Sequence, residues 1–223
     1  MPTWKTRLMS AAIIATCIPA PTAALANLIA NGSFEVPAIA DGTLQAITPL
    51  AWTGGAALMN PSAAGTFAGN PFLWPQAPEG AQYEDIGNEA KYALSQNFVV
   101  ADADTYLLLW QDNTALNIAP GFQTAPYSVA IRDSASTVVF TIALDSYHSD
   151  GAWVARSVQQ FLNVGTYSLT FTSLNQFNRT DTLVDAVSLA VPVPEPATSL
   201  LVTIGLSTLL GATKLRRSKL QGT

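Results

Sequence analysis

Apolar and polar residues alternate along much of this chain, and the alternation predicts β-strands. Clusters of Gly, Asn, Asp and Pro interrupt it, for example at Asp112-Asn113 and Asn163-Val164-Gly165, and predict turns. No segment before residue 193 has a sustained helical period with caps. We therefore expect a mainly β protein, an antiparallel β-sandwich of the jelly-roll type. Its six clearest strands are rich in β-branched and aromatic residues and lie at 93–100, 105–110, 127–132, 137–142, 166–171 and 183–189.

Residues 53–80 depart from this pattern. Glycines and prolines recur throughout the segment, around the aromatic residues Trp52, Phe67, Phe72 and Trp74. This composition predicts a long loop with one or two short strands. Long loops at the rim of a sandwich are frequent places for binding sites.

Residues 1–26 have the pattern of an export signal. Two cations precede an apolar stretch from 8 to 18, and Ala24-Leu25-Ala26 supplies the small residues that signal peptidase accepts, so that cleavage is expected between Ala26 and Asn27. The single cysteine, Cys17, lies inside this segment behind a poor lipoprotein box, which leaves lipidation as the weaker alternative. Once the signal is removed, the chain has no thiol for disulfides, metal binding or nucleophilic chemistry.

The end of the chain combines three parts: Pro194-Glu195-Pro196, an uncharged run at 197–213, and a cluster of cations that includes Arg216 and Arg217. A helix over that run would be about 26 Å long, near the short limit for crossing a bilayer. The cations behind it favour the cytoplasm, so the preceding chain would lie outside. An ordinary C-terminal anchor explains the run and the cations, but not the two prolines, which keep their segment extended.

This tripartite tail resembles the PEP-CTERM sorting signal of Gram-negative bacteria, and the resemblance covers residues 193–223. It implies that an exosortase, a membrane-embedded cysteine transpeptidase, cuts near Pro194-Glu195-Pro196. We therefore divide the chain into a signal peptide (1–26), a β-sandwich domain (27–193) and a sorting signal (194–223). The implied location is the inner membrane before processing, and then the cell envelope or the extracellular matrix.

The predicted domain is strongly acidic. Four cations face fourteen acids between residues 27 and 193, a balance of −10, whereas the whole chain has −5 because six cations lie in its two ends. Such a surface repels phosphate backbones, which excludes nucleic-acid binding. The length of this segment suits one domain with a full core.

Parts of the domain resemble the galactose-binding-domain-like sandwiches shared by many carbohydrate-binding modules. The resemblance rests on the opening segment 27–37, on Ala51-Trp52, on the Gln-x-Phe and Gly-x-Tyr-x-Leu-x-Phe strands at 93–98 and 165–171, and on the closing segment 183–189. It departs from the family pattern at Ala51, where Gly is usual, and at Ala186, where a polar residue is usual. It implies a jelly roll with an extracellular polysaccharide as a possible ligand.

The same resemblance implies one structural calcium where the first and last strands meet. Its carried-over ligands are Glu35 and Asp185, with backbone carbonyls of the Asn31–Ser33 turn as possible further donors. Hard oxygen donors of this kind suit calcium. The alternative, equally open from the sequence, is that both carboxylates are solvated or hydrogen-bonded to turn amides.

Sugar binding in such folds needs flat aromatic faces beside polar groups. Trp74 lies in the Pro-rich loop, and Tyr147 and Trp153 flank a connection between strands, so these two segments could form one rim. Trp52 and Trp110 are flanked by strand residues and are expected in the core. For any one of these aromatic residues, core packing is the commoner role.

Catalysis has little support in the sequence. His148, the only histidine, has Asp145 and Asp150 nearby, but no Gly-x-Ser-x-Gly, His-Glu-x-x-His or phosphate-binding motif accompanies it. We therefore expect no enzyme, but an exported surface or matrix protein whose sandwich is adhesive or binds carbohydrate. A passive matrix component without a ligand is the alternative, and a polysaccharide-active enzyme using two carboxylates is a weaker one.

Overall fold

A computed structural model of the chain describes residues 26–67, 73–87, 92–114, 124–148, 151–174 and 181–192. The predicted signal peptide up to residue 25 and the predicted sorting signal, including Pro194, Glu195, Pro196, Arg216 and Arg217, lie outside these residues, and both stay predictions. Within the described ranges, no helix has the length and apolar character needed to cross a membrane.

The described residues form two antiparallel sheets. One has six strands in the order β1-β3-β4-β11-β6-β9, and the other has five in the order β2-β5-β10-β7-β8. Chain neighbours therefore often lie in different sheets, which is the connectivity of a sandwich. The strands are β1 (Thr43–Gln45), β2 (Thr53–Gly54), β3 (Ala57–Asn60), β4 (Tyr83–Asp85), β5 (Ala93–Val100), β6 (Asp104–Asn113), β7 (Pro126–Asp133), β8 (Val138–Asp145), β9 (Val154–Leu162), β10 (Gly165–Ser173) and β11 (Leu183–Ala190).

An inter-sheet core fills the space between the two sheets. Side chains of alternate residues point into it, because successive residues of a strand face opposite sides. In β10, for example, Tyr167, Leu169 and Phe171 are buried. Trp52 and Trp110 belong to the same core, as the sequence predicts. Their ring centroids lie 6.4 Å and 6.0 Å from the ring centroid of Phe171.

A second, smaller cluster lies on the other face of the six-stranded sheet, and we call it the outer cluster. Residues 61–67 and 73–82, called the covering loop, pack Phe67 and Trp74 over this part of the sheet. Trp153, from the segment before β9, packs against its edge. The outer cluster consists of Ala57, Met59, Phe67, Trp74, Tyr83 and Leu183.

The amino-terminal turn attaches to the last strand. Leu28 N donates to Leu189 O at 2.8 Å, and Val187 N donates to Gly32 O at 2.9 Å. A Cβ atom at Gly32 would lie 1.9 Å from Val187 O, so only glycine permits this approach. The pairing of β11 with β6 shifts register between Asp185 and Ser188, and Ala186 has a φ of 53° there. This bulge receives the turn and re-aims the neighbouring side chains.

All six predicted strands are present, with ends that differ by up to three residues. Asp112-Asn113, predicted as a turn, belongs to β6 instead, because Asp112 pairs with Val184 and Val154 on either side. The segment 53–80 contains two short strands, β2 and β3, as predicted. The sequence prediction missed β9. Its polar residues Arg156, Gln159 and Gln160 interrupt the alternation of apolar and polar positions that predicts a strand.

Candidate functional site

The rim near Trp153 is formed by two segments that are distant in sequence. Trp153 Nε1 donates to the carbonyl oxygen of Gln76 at 2.6 Å. Its ring meets the Tyr83 ring edge-on, with centroids 5.4 Å apart and an interplanar angle of 69°. The predicted contact between the covering loop and the segment around residue 153 is therefore present. Two contacts fix the indole of Trp153, which stays partly exposed.

Trp74 is not an exposed platform, and this expectation is wrong. Its side chain is 6% exposed, and its ring packs edge-on against Phe67 with centroids 5.6 Å apart. Trp74 N also donates to Gly65 O at 2.8 Å, which closes the covering loop on itself. The physical reason is that the loop needs its own apolar filling to lie on the sheet.

Tyr147 and His148 follow β8 in the connection that leads to Trp153, and both are partly buried. Tyr147 N donates to Asp145 Oδ1 at 2.9 Å, so this aspartate orders the connection after β8. His148 approaches Asp112: its Nε2 lies 3.4 Å from Asp112 Oδ1 and 3.4 Å from Arg156 Nη2. Its neighbour in sequence, Asp150, lies outside the described residues.

Asp112 is the centre of a polar network that sequence analysis missed. It is completely buried and accepts hydrogen bonds from the Tyr127 hydroxyl and from Arg156 Nε, the latter at 3.0 Å. Trp110 Nε1 in turn donates to the Tyr127 hydroxyl at 2.9 Å. Burial and the adjacent Asp112 raise the pKa of Tyr127. Arg156 Nη2 also donates to Asp145 O at 3.0 Å, so the network joins the edge strands of both sheets.

The two predicted calcium ligands lie at the junction of the amino-terminal turn and β11. Glu35 Oε1 accepts from Ala81 N and Gln82 N, both at 2.8 Å. Asp185 is completely buried; its Oδ1 accepts from Ala186 N at 2.6 Å and its Oδ2 from Glu79 N at 3.3 Å. Both carboxylates thus hold turn amides, as in the alternative that the sequence left open.

Among the ion pairs of the described residues, none involves Asp185. Burial, with smaller contributions from the carboxylates of Glu79 and Glu35, raises the pKa of Asp185 to about 8, against the lowering effect of the backbone hydrogen bonds from Ala186 and Glu79. Carboxylate oxygens are the ligands that calcium prefers, and Glu35 and Asp185 supply them at this junction. In the described part of the chain, no three His, Cys, Asp or Glu side chains converge as a ligand set, so backbone oxygens and water would have to complete the shell.

Three further acids are buried in β4 and just before β11, and the sequence offered two of them, Glu84 and Asp85, only as possible carboxylates of the weaker enzyme alternative. Glu84 is completely buried. This burial, and to a smaller extent the charge of the neighbouring Asp85, raises the pKa of Glu84 to about 9. Asp85 and Asp181 are also buried, and the pKa of Asp85 is raised by burial and then by Asp181. Only their occurrence next to strand residues in the sequence could have indicated this burial.

Known structures share this architecture. The chain is similar to the carbohydrate-binding module TmCBM61 solved with beta-1,4-galactotriose, with a TM-score of 0.53 and 11% identity over 75% of this chain and 99% of that one. It is also similar to a CBM4 structure (TM-score 0.45, 13% identity, 73% and 98% covered) and to the CBM22-1 xylan-binding domain from Paenibacillus barcinonensis (0.43, 18%, 76% and 97%). The fold is thus the β-sandwich of carbohydrate-binding modules, as the resemblance implied. No protein-family model and no curated protein matches the chain.

Proposed function

We propose that this protein is exported to the surface or extracellular matrix of a Gram-negative bacterium, where its sandwich domain binds a neutral glycan. Signal peptidase would remove residues 1–26, and an exosortase would process the tail at Pro194-Glu195-Pro196. The tripartite tail and the export signal in the sequence support this route.

The observation that carries the binding proposal is the fixed, partly exposed indole of Trp153. Its Nε1 already donates to Gln76 O and its ring meets the Tyr83 ring edge-to-face, so little side-chain entropy is lost when a sugar stacks on it. Tyr147 and His148, in the connection that leads to Trp153, would add an aromatic ring and a hydrogen-bonding group. Flat rings beside polar groups are the usual means of recognising a pyranose.

The charge of the domain favours a neutral ligand. The balance of −10 between residues 27 and 193 repels uronate-rich chains. The carbohydrate-binding-module fold is consistent with this ligand class. The role proposed here is binding rather than catalysis.

We include one structural calcium in this proposal, held by Glu35 and Asp185. Its chemical contribution would be to neutralise the two carboxylates where the amino-terminal turn meets β11. The buried Asp185 with Glu35 and Glu79 around it supports this assignment. The ion would stabilise the junction without contacting the ligand.

A glycan array on the exported chain, with Trp153→Ala beside it, tests the binding proposal. We expect neutral glycans to bind and Trp153→Ala to abolish the signal, because the stacking surface is lost. Tyr92→Ala is the matched control, since Tyr92 is an exposed aromatic residue at the start of the β5 region. Unchanged binding by Trp153→Ala would refute the site, no binding by the wild type would favour a passive matrix role, and shortened glycans would indicate an enzyme.

The sorting proposal is tested separately by intact mass. Protein recovered from the cell surface should lack everything after about Pro196. Mature protein that still carries residues 214–223 would contradict processing by an exosortase and would favour an ordinary anchor.

A further inference from the structure

We propose that two copies of this protein associate through β8, the edge strand of the five-stranded sheet. The two strands would pair antiparallel about a two-fold axis at Ile142, so that the two five-stranded sheets become one continuous sheet. The association does not depend on the glycan proposal.

The described residues form four edge strands, and three of them are protected against pairing with another chain. β1 has three residues and β2 has two. β9 is long, but it directs Arg156 inward, where Nε lies 3.0 Å from Asp112 Oδ2. Short length and inward-pointing charges are two of the ways in which proteins prevent edge-to-edge pairing.

β8 has neither protection. It pairs with β7 on one side, and among the described residues no strand lies on its other side. The strand contains no Pro or Gly, and the chain carries no charge between Asp133 and Asp145. Its pairing with β7 is regular from Phe140 to Asp145, with one irregularity closer to its start. Such a strand offers a row of backbone N–H and C=O groups to a second strand.

The inward side chains of β8 are incompletely covered. Phe140, Ile142 and Leu144 pack against the inter-sheet core but remain partly exposed. The residues opposite them in β7 are completely buried. A further strand beyond β8 would remove the remaining apolar surface from water, which is favourable.

A second copy is the partner that charge and sequence favour. The predicted domain has a balance of −10, so two copies repel each other unless they meet through a neutral surface, which β8 supplies. Pairing about Ile142 sets this residue opposite its own copy and Phe140 opposite Leu144 of the partner subunit. Apolar side chains then meet across the pair on the inward face, and Thr141 meets the partner's Ala143 on the exposed face. The strand is therefore complementary to itself.

The pairing would also give one particle two rims. The connection to Trp153 begins where β8 ends, and the ends of two antiparallel strands lie on opposite sides of their axis. The two rims would therefore point away from each other, so that a dimer could join two glycan chains. This consequence, unlike the dimer, rests on the proposed function.

Sedimentation equilibrium of the full chain tests the association. We expect the wild type to approach twice the monomer mass as its concentration rises. Thr141→Glu adds a negative charge diagonally across from the partner's Asp145 and should raise the dissociation constant at least about tenfold, because like charges across an interface are unfavourable. Ser157→Glu, at an exposed position of β9, is the matched control and should associate as the wild type does. A monomeric wild type, or a dimer that Thr141→Glu leaves intact, would overturn the proposal.

Disulfide cross-linking tests the register in a Cys17→Ser background. Ile142→Cys should form a covalent dimer, because directly opposed residues of an antiparallel pair have Cα atoms about 4.5–5.5 Å apart, within reach of a disulfide. Thr141→Cys should cross-link much less, since the two copies of residue 141 would be offset by two positions along the strands. Equal cross-linking of the two variants, or none in either, would contradict pairing about Ile142.

Discussion

The inter-sheet core and the outer cluster are built from the same strands but by different rules. The core forms where the inward side chains of two sheets meet, so alternation in the sequence describes it directly. The outer cluster forms where the covering loop lies over one part of the six-stranded sheet. In β4, between these two regions, Tyr83, Glu84 and Asp85 are all buried. The outer face of β4 is therefore buried because the covering loop packs over it, and not because of the sequence of the strand itself.

This difference determines where polar groups are buried. Glu84 points into the sandwich: a Cβ atom at Gly55 would lie 1.9 Å from Glu84 Oε1 and 3.4 Å from Leu94. Tyr83 lies in the outer cluster instead. The strand thus carries acids and a phenol into apolar surroundings on both sides. Buried polar groups in one small region are typical of a functional site.

The largest expected effect comes from truncating the inter-sheet core. Trp110→Ala should reduce the free energy of unfolding by about 3–5 kcal/mol, because it leaves a cavity and removes the donor to Tyr127. Urea unfolding of the full chain measures this loss.

Trp74→Ala is the matched substitution in the outer cluster. It should loosen the covering loop with a smaller global loss, seen as faster proteolysis within 61–82. An equal global loss for both tryptophans would show that core and outer cluster unfold as one unit.

The next effect concerns the network that joins the sheet edges. Arg156→Met should reduce the free energy of unfolding by about 3 kcal/mol, because it leaves the completely buried Asp112 without its guanidinium partner. Arg132→Met is the control, since Arg132 is exposed and its guanidinium donates to Ser136 O at 3.2 Å. Similar losses in both variants would mean that the buried pair is not special.

Calcium should have the third-largest effect. At a free concentration a hundred times the dissociation constant, an ion bound only by the folded state adds about 2.7 kcal/mol. We therefore expect chelator to lower the melting temperature of the wild type. Asp185→Ala should reduce this response, since it removes one predicted ligand. An unchanged melting midpoint in chelator would remove the metal from the proposal.

The smallest expected effect is the change in the free energy of unfolding per pH unit that Glu84 causes. Its pKa is about 9 in the folded chain against 4.5 ordinarily, so the folded state holds a proton that the unfolded state releases. Stability should therefore fall as pH rises between these values, by at most about 1.4 kcal/mol per unit. Glu84→Gln should flatten this dependence in melts at pH 5, 6 and 7. A slope that is the same in both proteins would show that Glu84 is ionised in the fold.

The sequence predicts the inter-sheet core well and the candidate site only in part. Six strands and the burial of Trp52 and Trp110 follow from alternation, which is a local signal. The meeting of the covering loop with Trp153 was predicted from position, yet the burial of Trp74 was not, because no local pattern distinguishes a loop that packs from one that is solvated. The partnership of Asp112 with Tyr127 and Arg156 depends on strand order, which the sequence does not display.

The attachment of the amino-terminal turn to the last strand has a consequence for the time at which the fold is completed. Leu189 N donates to Asn27 Oδ1 across 162 residues, nearly the full length of the sandwich. A chain is synthesised from its amino end, so the turn that carries Gly32 and Glu35 waits for its partner until β11 is made. Contacts of such long range also slow folding. The turn and Glu35 therefore close onto the sandwich only after the strands between them have been made.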